Sequence, residues 1–222
     1  SGGTSYGKYQ FSSKTAKGGE VSMQDYLRAL DKSGDPELQQ AAANIRGAGP
    51  LNSGSKNGAA ADAWKKEAKS DKFQSFEQQY AEQRFYGKQM DNIRKQNPEL
   101  AKRIEGSDAL KNVVFSTGAQ QGENTSLIAG MKYDPSMSDK DIIDGVYNER
   151  QTRFGTLKKN DERMWNNVVN GRLGNGKDSE RNAAKMMVDA EQNKKAQGTA
   201  LAQSTAPAKP EVAQLESPRA AD

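Results

Sequence analysis

The sequence contains neither cysteine nor histidine. Without cysteine there is no disulfide, no thiolate nucleophile and no sulfur-ligated zinc or iron–sulfur centre. Without histidine there is no Ser-His-Asp or Cys-His relay, no imidazole base and no HExxH metal site. Acid–base chemistry near neutral pH is left to Asp, Glu, Lys and Tyr, tuned by burial and by neighbours. Carboxylate chemistry, glycoside cleavage above all, is the main hydrolytic class that survives these absences.

Long apolar runs are missing too. No stretch approaches the 18 or so residues that a membrane-spanning helix needs. A strong charge of one sign is also absent: 33 Lys and Arg stand against 29 Asp and Glu, a net charge of +4. The basic residues are interspersed, with no run of five or six and no clustering with aromatics, so nucleic acid is not an expected partner. Residues of hydrophobic type make up 33% of the 222 and charged ones 28%, which describes one rather polar domain with a disordered end. No secretory signal is visible, and the chain opens on Ser1 rather than Met. It is expected to be a processed product, a fragment or a domain of something longer.

What is present reads as helix for most of its length. Ser1 to Gly19 is rich in Gly, Ser and Tyr, and SYGKYQF alternates small or polar residues with aromatic ones, as a short strand or hairpin does. Ser22 and Asp25 are spaced as a capping box ahead of Met23, Tyr26, Leu27 and Leu30. Asp35-Pro36 opens a second helix that stops near Gly47. Trp64, Phe73, Phe76, Tyr80 and Met90 mark one long or two consecutive helices between about Ala59 and Lys95. Asn97-Pro98 starts a short helix. Ser107 caps another that carries Leu110, Val113, Val114 and Thr117 to the GAQQG turn. Ser138 and Asp141 form a second capping-box match. Further helices carry Met164, Trp165, Val168 and Val169, then Asp178 to Lys195. The spacing of Trp64 and Trp165 suits core positions better than sugar platforms. Residues 196–222 lose the apolar period, hold three of the seven prolines and are expected to be a disordered Ala/Gln/Pro-rich tail or linker. The expected fold is mainly α, one helical domain over 1–195 with a small N-terminal β element.

The residues with most chemistry form one run, Gly2-Gly3-Thr4-Ser5-Tyr6-Gly7-Lys8-Tyr9-Gln10-Phe11-Ser12-Ser13. Glycines allow close backbone approach, while Ser5, Tyr6, Tyr9 and Gln10 offer aromatic faces and neutral hydrogen-bonding groups. That mixture suits a sugar; it also suits an ordinary Gly-rich hairpin. Glu149-Arg150 reads either as a cleft carboxylate steadied by Arg150 or Arg153, or as an ion pair pinning its helix. No metal or cofactor is expected. Asp139, Asp141 and Asp144 lack the glycine and terminal Glu of a calcium loop and fit helix-start acidity. Gly171-x-x-Gly174-x-Gly176 follows a helix and lacks the Lys-Ser/Thr of a phosphate loop.

The order of residues in GGTSYGKYQFSSKT resembles the GG-x-SYG-x-YQ-x-SS segment of a lysozyme-like hydrolase family. Its domains occur in bacteriophage proteins and at the ends of secretion-system spike proteins, and are more distantly similar to chitosanases. Leu110 to Gly122 resembles the family's apolar helix ending in S-x-x-x-Q-H/Q-G. Ile142 to Arg150, continued by Arg153-Phe154-Gly155, resembles its I/V-Y-x-E-R helix. The resemblance covers about Gly2 to Ala190. It implies a lysozyme-like helical fold with the β element beside a cleft, and hydrolysis of β-1,4 bonds in peptidoglycan or a related amino-sugar polymer. It also implies attachment to a larger virion or spike protein, and delivery to the periplasm or cell wall. The alternative is a non-catalytic virion or effector module that keeps the fold and binds glycan or a protein. Ser5, Tyr6, Gly7, Tyr9 and Gln10 are the implied substrate-binding residues, approached by Thr117, Gln120 and Gln121 from the helix end. The family's general-acid Glu stands on a helix ahead of SYG-x-YQ, so the acid is expected upstream of Ser1; Glu20 and Glu149 are the weak candidates within the chain.

Overall fold

A computed structural model of the chain describes residues 4–13, 22–52, 58–154 and 162–204. Strands β1 (Ser5–Tyr6) and β2 (Phe11–Ser12) pair antiparallel, with Ser5 opposite Ser12 and Tyr6 opposite Phe11. Everything else with regular structure is helical, so the fold is mainly α with one small N-terminal sheet. Helices α1 (Ser22–Asp31), α2 (Pro36–Gly47), α3 (Ala59–Glu67) and α4 (Asp71–Glu82) surround the hairpin. A π-helical stretch, Gln83–Gly87, joins α4 directly to α5 (Lys88–Gln96). Then come α6 (Pro98–Glu105), α7 (Asp108–Gln121) and α8 (Asp139–Arg153). Helix α9 (Glu162–Trp165) runs into a second π stretch, Asn166–Arg172, and α10 spans Glu180–Ser204.

The caps explain most of these boundaries. Asp35 accepts from the Glu37 and Leu38 amides with Pro36 at the first helical position, and Asn97 and Ser107 accept from the Leu100 and Leu110 amides. Ser138 and Asp141 close a complete capping box. Ser22 and Asp25 do not behave as their spacing suggests. Ser22 Oγ accepts from the Ser12 amide at 2.7 Å, tying β2 to α1, and Asp25 pairs with Arg28 and Arg84. The last helix passes the boundary expected at Lys195 and reaches Ser204, so the start of the expected tail is helical. Residues 205–222 lie outside the described residues. No described helix is long and apolar enough to cross a membrane.

Two apolar cores result. The first gathers Tyr6 and Phe11 with Met23, Tyr26, Leu27, Leu30, Trp64 and Phe73; the rings of Phe11 and Tyr26 stack at 4.8 Å. Trp64 is a core residue, whereas Trp165 is half-buried. The second core is built by α5 to α8 with α10. The α4–π–α5 rod serves both: Phe85 belongs to the first and Met90 to the second. The π turn sits at that handover, where one extra residue per turn re-phases the buried face. Helix α7 crosses here so closely that a Cβ on Gly118 would lie 2.3 Å from Phe85 O. Gln89 Nε2 donates to Phe85 O at 2.6 Å and Val114 O at 2.8 Å, tying the π turn to α7.

Candidate functional site

Beside the hairpin lies an open groove of about 550 Å³, where the first core meets the C-terminal end of α7. Tyr9 and Gln10 form one wall. Arg84 and Phe85 of the π turn, Gln121 and Glu123 at the end of α7, and Arg153 at the end of α8 stand among the other lining residues. The wall of Tyr9 and Gln10 is a four-residue turn, Gly7 to Gln10. Gly7 takes φ +68° and Gln10 φ +57°, a left-handed backbone that Gly7 adopts freely and Gln10 does not. The Gln10 amide and its Nε2 both donate to Gly7 O, at 3.3 and 3.2 Å. Opposite, α7 stops at Gly122 with φ +93°, which turns the chain so that Glu123 faces back into the groove.

Polar chemistry in the groove centres on Arg84. It donates to Tyr80 Oη at 2.8 Å and Asp25 Oδ2 at 3.2 Å, and pairs with Glu123. Lys88 pairs with the same Glu123. Glu123 is 8% exposed, so two cations compensate a largely buried carboxylate. Burial is the main influence on the Tyr80 hydroxyl and pushes it up, so at neutral pH it is a neutral partner of Arg84. The Gln121 Nε2 is buried and has no hydrogen-bond partner among the described residues. Among the described groove-lining residues Glu123 is the one carboxylate.

A second carboxylate, Glu77 of α4, lies behind the turn and is 6% exposed. It accepts from the Lys8 amide at 3.1 Å. Burial pushes its carboxyl above the usual range, and the neighbouring turn amides with the Lys8 charge pull the other way. A Cβ on Gly7 would sit 2.1 Å from Glu77 Oε1 and 2.7 Å from Trp64 Cζ2. Glycine is therefore required at residue 7 both for φ and for room.

The substrate-binding set expected from sequence divides in two. Tyr9, Gln10 and Gln121 meet on the groove. Ser5 is exposed on β1, Gly7 packs on Glu77, and neither lines it. Three others are corrected. Tyr6 is 3% exposed in the first core and donates to Leu51 O at 2.6 Å, because strand alternation turns Tyr6 and Phe11 inward together. Thr117 is fully buried and donates to Val113 O at 2.7 Å. The Gln120 side-chain oxygen accepts two bonds from Arg150.

Of the two weak acid candidates, Glu20 lies outside the described residues. Glu149 is exposed and pairs with Arg153, one turn along its own helix, at 3.7 Å. The residue that pins α8 is Arg150. Asp139 pairs with Arg103, Asp141 caps its helix, and Asp144 pairs with Arg181 and Lys185. Among the described residues no group of three or more acidic side chains could hold a metal ion. Sequence reasoning missed Glu77 and Glu123. The first is an acid on the apolar face of α4, four residues from both Phe73 and Ala81; the second directly follows the glycine that ends α7.

The groove thus offers one half-buried tyrosine ring, neutral amides and an internally compensated ion cluster. That combination can hold an uncharged, hydroxyl-rich ring by stacking and hydrogen bonds. The family model for the type VI secretion system spike protein VgrG3-like, C-terminal, matches residues 1–177. Among curated proteins no relative matches the chain.

Proposed function

The chain belongs to the type VI secretion system spike protein VgrG3-like C-terminal family, and from that premise we propose that it is a cell-wall glycan hydrolase domain carried by a secretion spike. Its substrate is the β-1,4-linked amino-sugar backbone of peptidoglycan, reached after delivery to the periplasm of a target cell. The observation that carries this reading is the meeting of Tyr9 and Gln10 with Gln121 across one open groove.

Hydrolysis adds water across the glycosidic bond: a carboxylic acid gives its proton to the leaving oxygen, and hydroxide from water joins the anomeric carbon. In an inverting arrangement the two carboxyl groups stand about 6.5–9.5 Å apart, with the water between. Tyr9 stacks a sugar ring, and Gln10 and Gln121 bond its hydroxyl and acetamido groups. Glu123, held by Arg84 and Lys88, is the groove carboxylate available to orient water or to face the oxocarbenium-like charge. Glu123 is taken up by those two cations, so the proton donor is assigned elsewhere, with Glu20 the remaining candidate within the chain.

A non-catalytic glycan-binding module is the second reading, favoured by the single carboxylate among the described groove residues. Incubation with purified sacculi separates the two. Hydrolysis gives new reducing ends; a binding module sediments with the sacculi and releases none. Neither sedimentation nor reducing ends would refute both.

A further inference from the structure

We propose that Glu77 is the positioning residue of the groove: its carboxylate holds the Gly7–Gln10 turn so that Tyr9 and Gln10 face the glycan, although Glu77 itself touches none. The inference rests on the glycan reading above and assigns a role that reading does not need.

The turn's amides account for themselves in two directions. Gln10 N–H turns inward on the loop to Gly7 O, while Lys8 N–H points the other way, to Glu77 Oε1. The backbone they hold is costly, since Gln10 lies at positive φ without the freedom of glycine. Gly7 and Trp64 close over the carboxylate, with no room for a Cβ at residue 7. The charged or titratable groups facing Glu77 are Lys8 on the turn and Tyr26 on α1. Tyr26 is buried, with its hydroxyl pushed far up, so it stays neutral and Glu77 is the group that changes charge. Protonation replaces one acceptor oxygen by a donor and loosens the turn while the helices stay packed.

The test uses the whole chain, wild type and Glu77→Gln, a substitution of equal size that keeps the packing. Amide resonances and exchange rates of Lys8 and Tyr9 are followed by NMR from pH 4 to 8. Binding of hexa-N-acetylchitohexaose is titrated over the same range. The wild-type amides should titrate together with one carboxyl, and Glu77→Gln should abolish that titration and speed their exchange about tenfold or more. Binding at pH 7.5 should fall about tenfold in Glu77→Gln, and the two proteins should converge in acid. A merely structural loss would be the same at every pH. Unchanged amide exchange in Glu77→Gln overturns the positioning role. So does faster exchange with undiminished binding. If the wild type binds no glycan at all, the glycan reading falls and the link to binding falls with it, whereas the amide titration still decides whether Glu77 holds the turn.

Discussion

Arg150 donates from both Nε and Nη2 to one acceptor, Gln120 Oε1, at 2.9 and 2.7 Å. The same guanidinium reaches Ser116 Oγ at 3.0 Å and Glu180, and lies 4.6 Å from the centre of the Tyr147 ring. Its side chain is fully buried, so a single cation ties α7, α8 and α10 at the back of the groove. Arg150→Ala should cost ~2–5 kcal/mol, because it empties a fully buried site and leaves Gln120 Oε1 and Ser116 Oγ without their donor, while Glu180 keeps Arg172. Arg150→Lys should recover little, since an ammonium lacks the planar fork that reaches both helices. Urea unfolding of both variants checks this. A loss of ~1 kcal/mol or less, the worth of a surface pair, would contradict it.

Gly118 marks the closest approach of α7 to the π turn. Gly118→Ala would place a Cβ against Phe85 O and the Gln89 amide, neither of which can retreat without breaking the bond between them. The expected loss is ~1–3 kcal/mol, typical of overpacking. Thermal unfolding at matched pH reads it, and unchanged stability would mean that the helices separate freely here.

Tyr6 and Tyr9 are three residues apart in one motif and do opposite work. Tyr6→Phe should lose ~1 kcal/mol through the bond to Leu51 O and leave glycan affinity unchanged. Tyr9→Ala should weaken binding to sacculi about tenfold, ~1.4 kcal/mol, and lose ~1 kcal/mol of stability through its ring contacts with Phe11 and Phe115. Paired melting and sedimentation measurements separate them, and a reversed pattern would place the groove elsewhere.

Glu77 also fixes a sign for pH dependence. Burial raises its folded-state carboxyl above the value in the unfolded chain, so between those two values the folded state holds the extra proton. The stabilisation associated with that proton is fully present below the unfolded value and is lost as pH rises through the folded one. Wild type should therefore lose stability relative to Glu77→Gln across that window as pH rises, with no further change above it. A difference in melting temperature that stays constant, or runs the other way, would contradict the buried environment.

Much of the fold was legible because caps and 3.6-residue periods are local. Asp35-Pro36, Asn97-Pro98, Ser107 and Ser138 with Asp141 each start a helix where their chemistry says. The π turn was not legible: the buried residues Phe73, Glu77, Ala81, Phe85 and Gln89 step by four straight through it. Ser22 misled because its hydroxyl has a competing donor from β2, a contact set by tertiary structure. The site was half legible. The motif located the turn, but which tyrosine faces outward depends on hairpin register, and only the register puts Tyr6 beside Phe11 in the core. Glu123 joins the groove through a backbone reversal at Gly122 and an ion pair to a helix far away in sequence. No spacing rule encodes either.

The most direct measurement is mass spectrometry of the soluble fragments released from purified peptidoglycan by the intact chain, with Tyr9→Ala alongside. The account predicts disaccharide muropeptides with new reducing sugar ends, cut from β-1,4 bonds, and markedly less of them from the Tyr9 variant. Release of peptides without sugar, or no release together with no binding to sacculi, would contradict it.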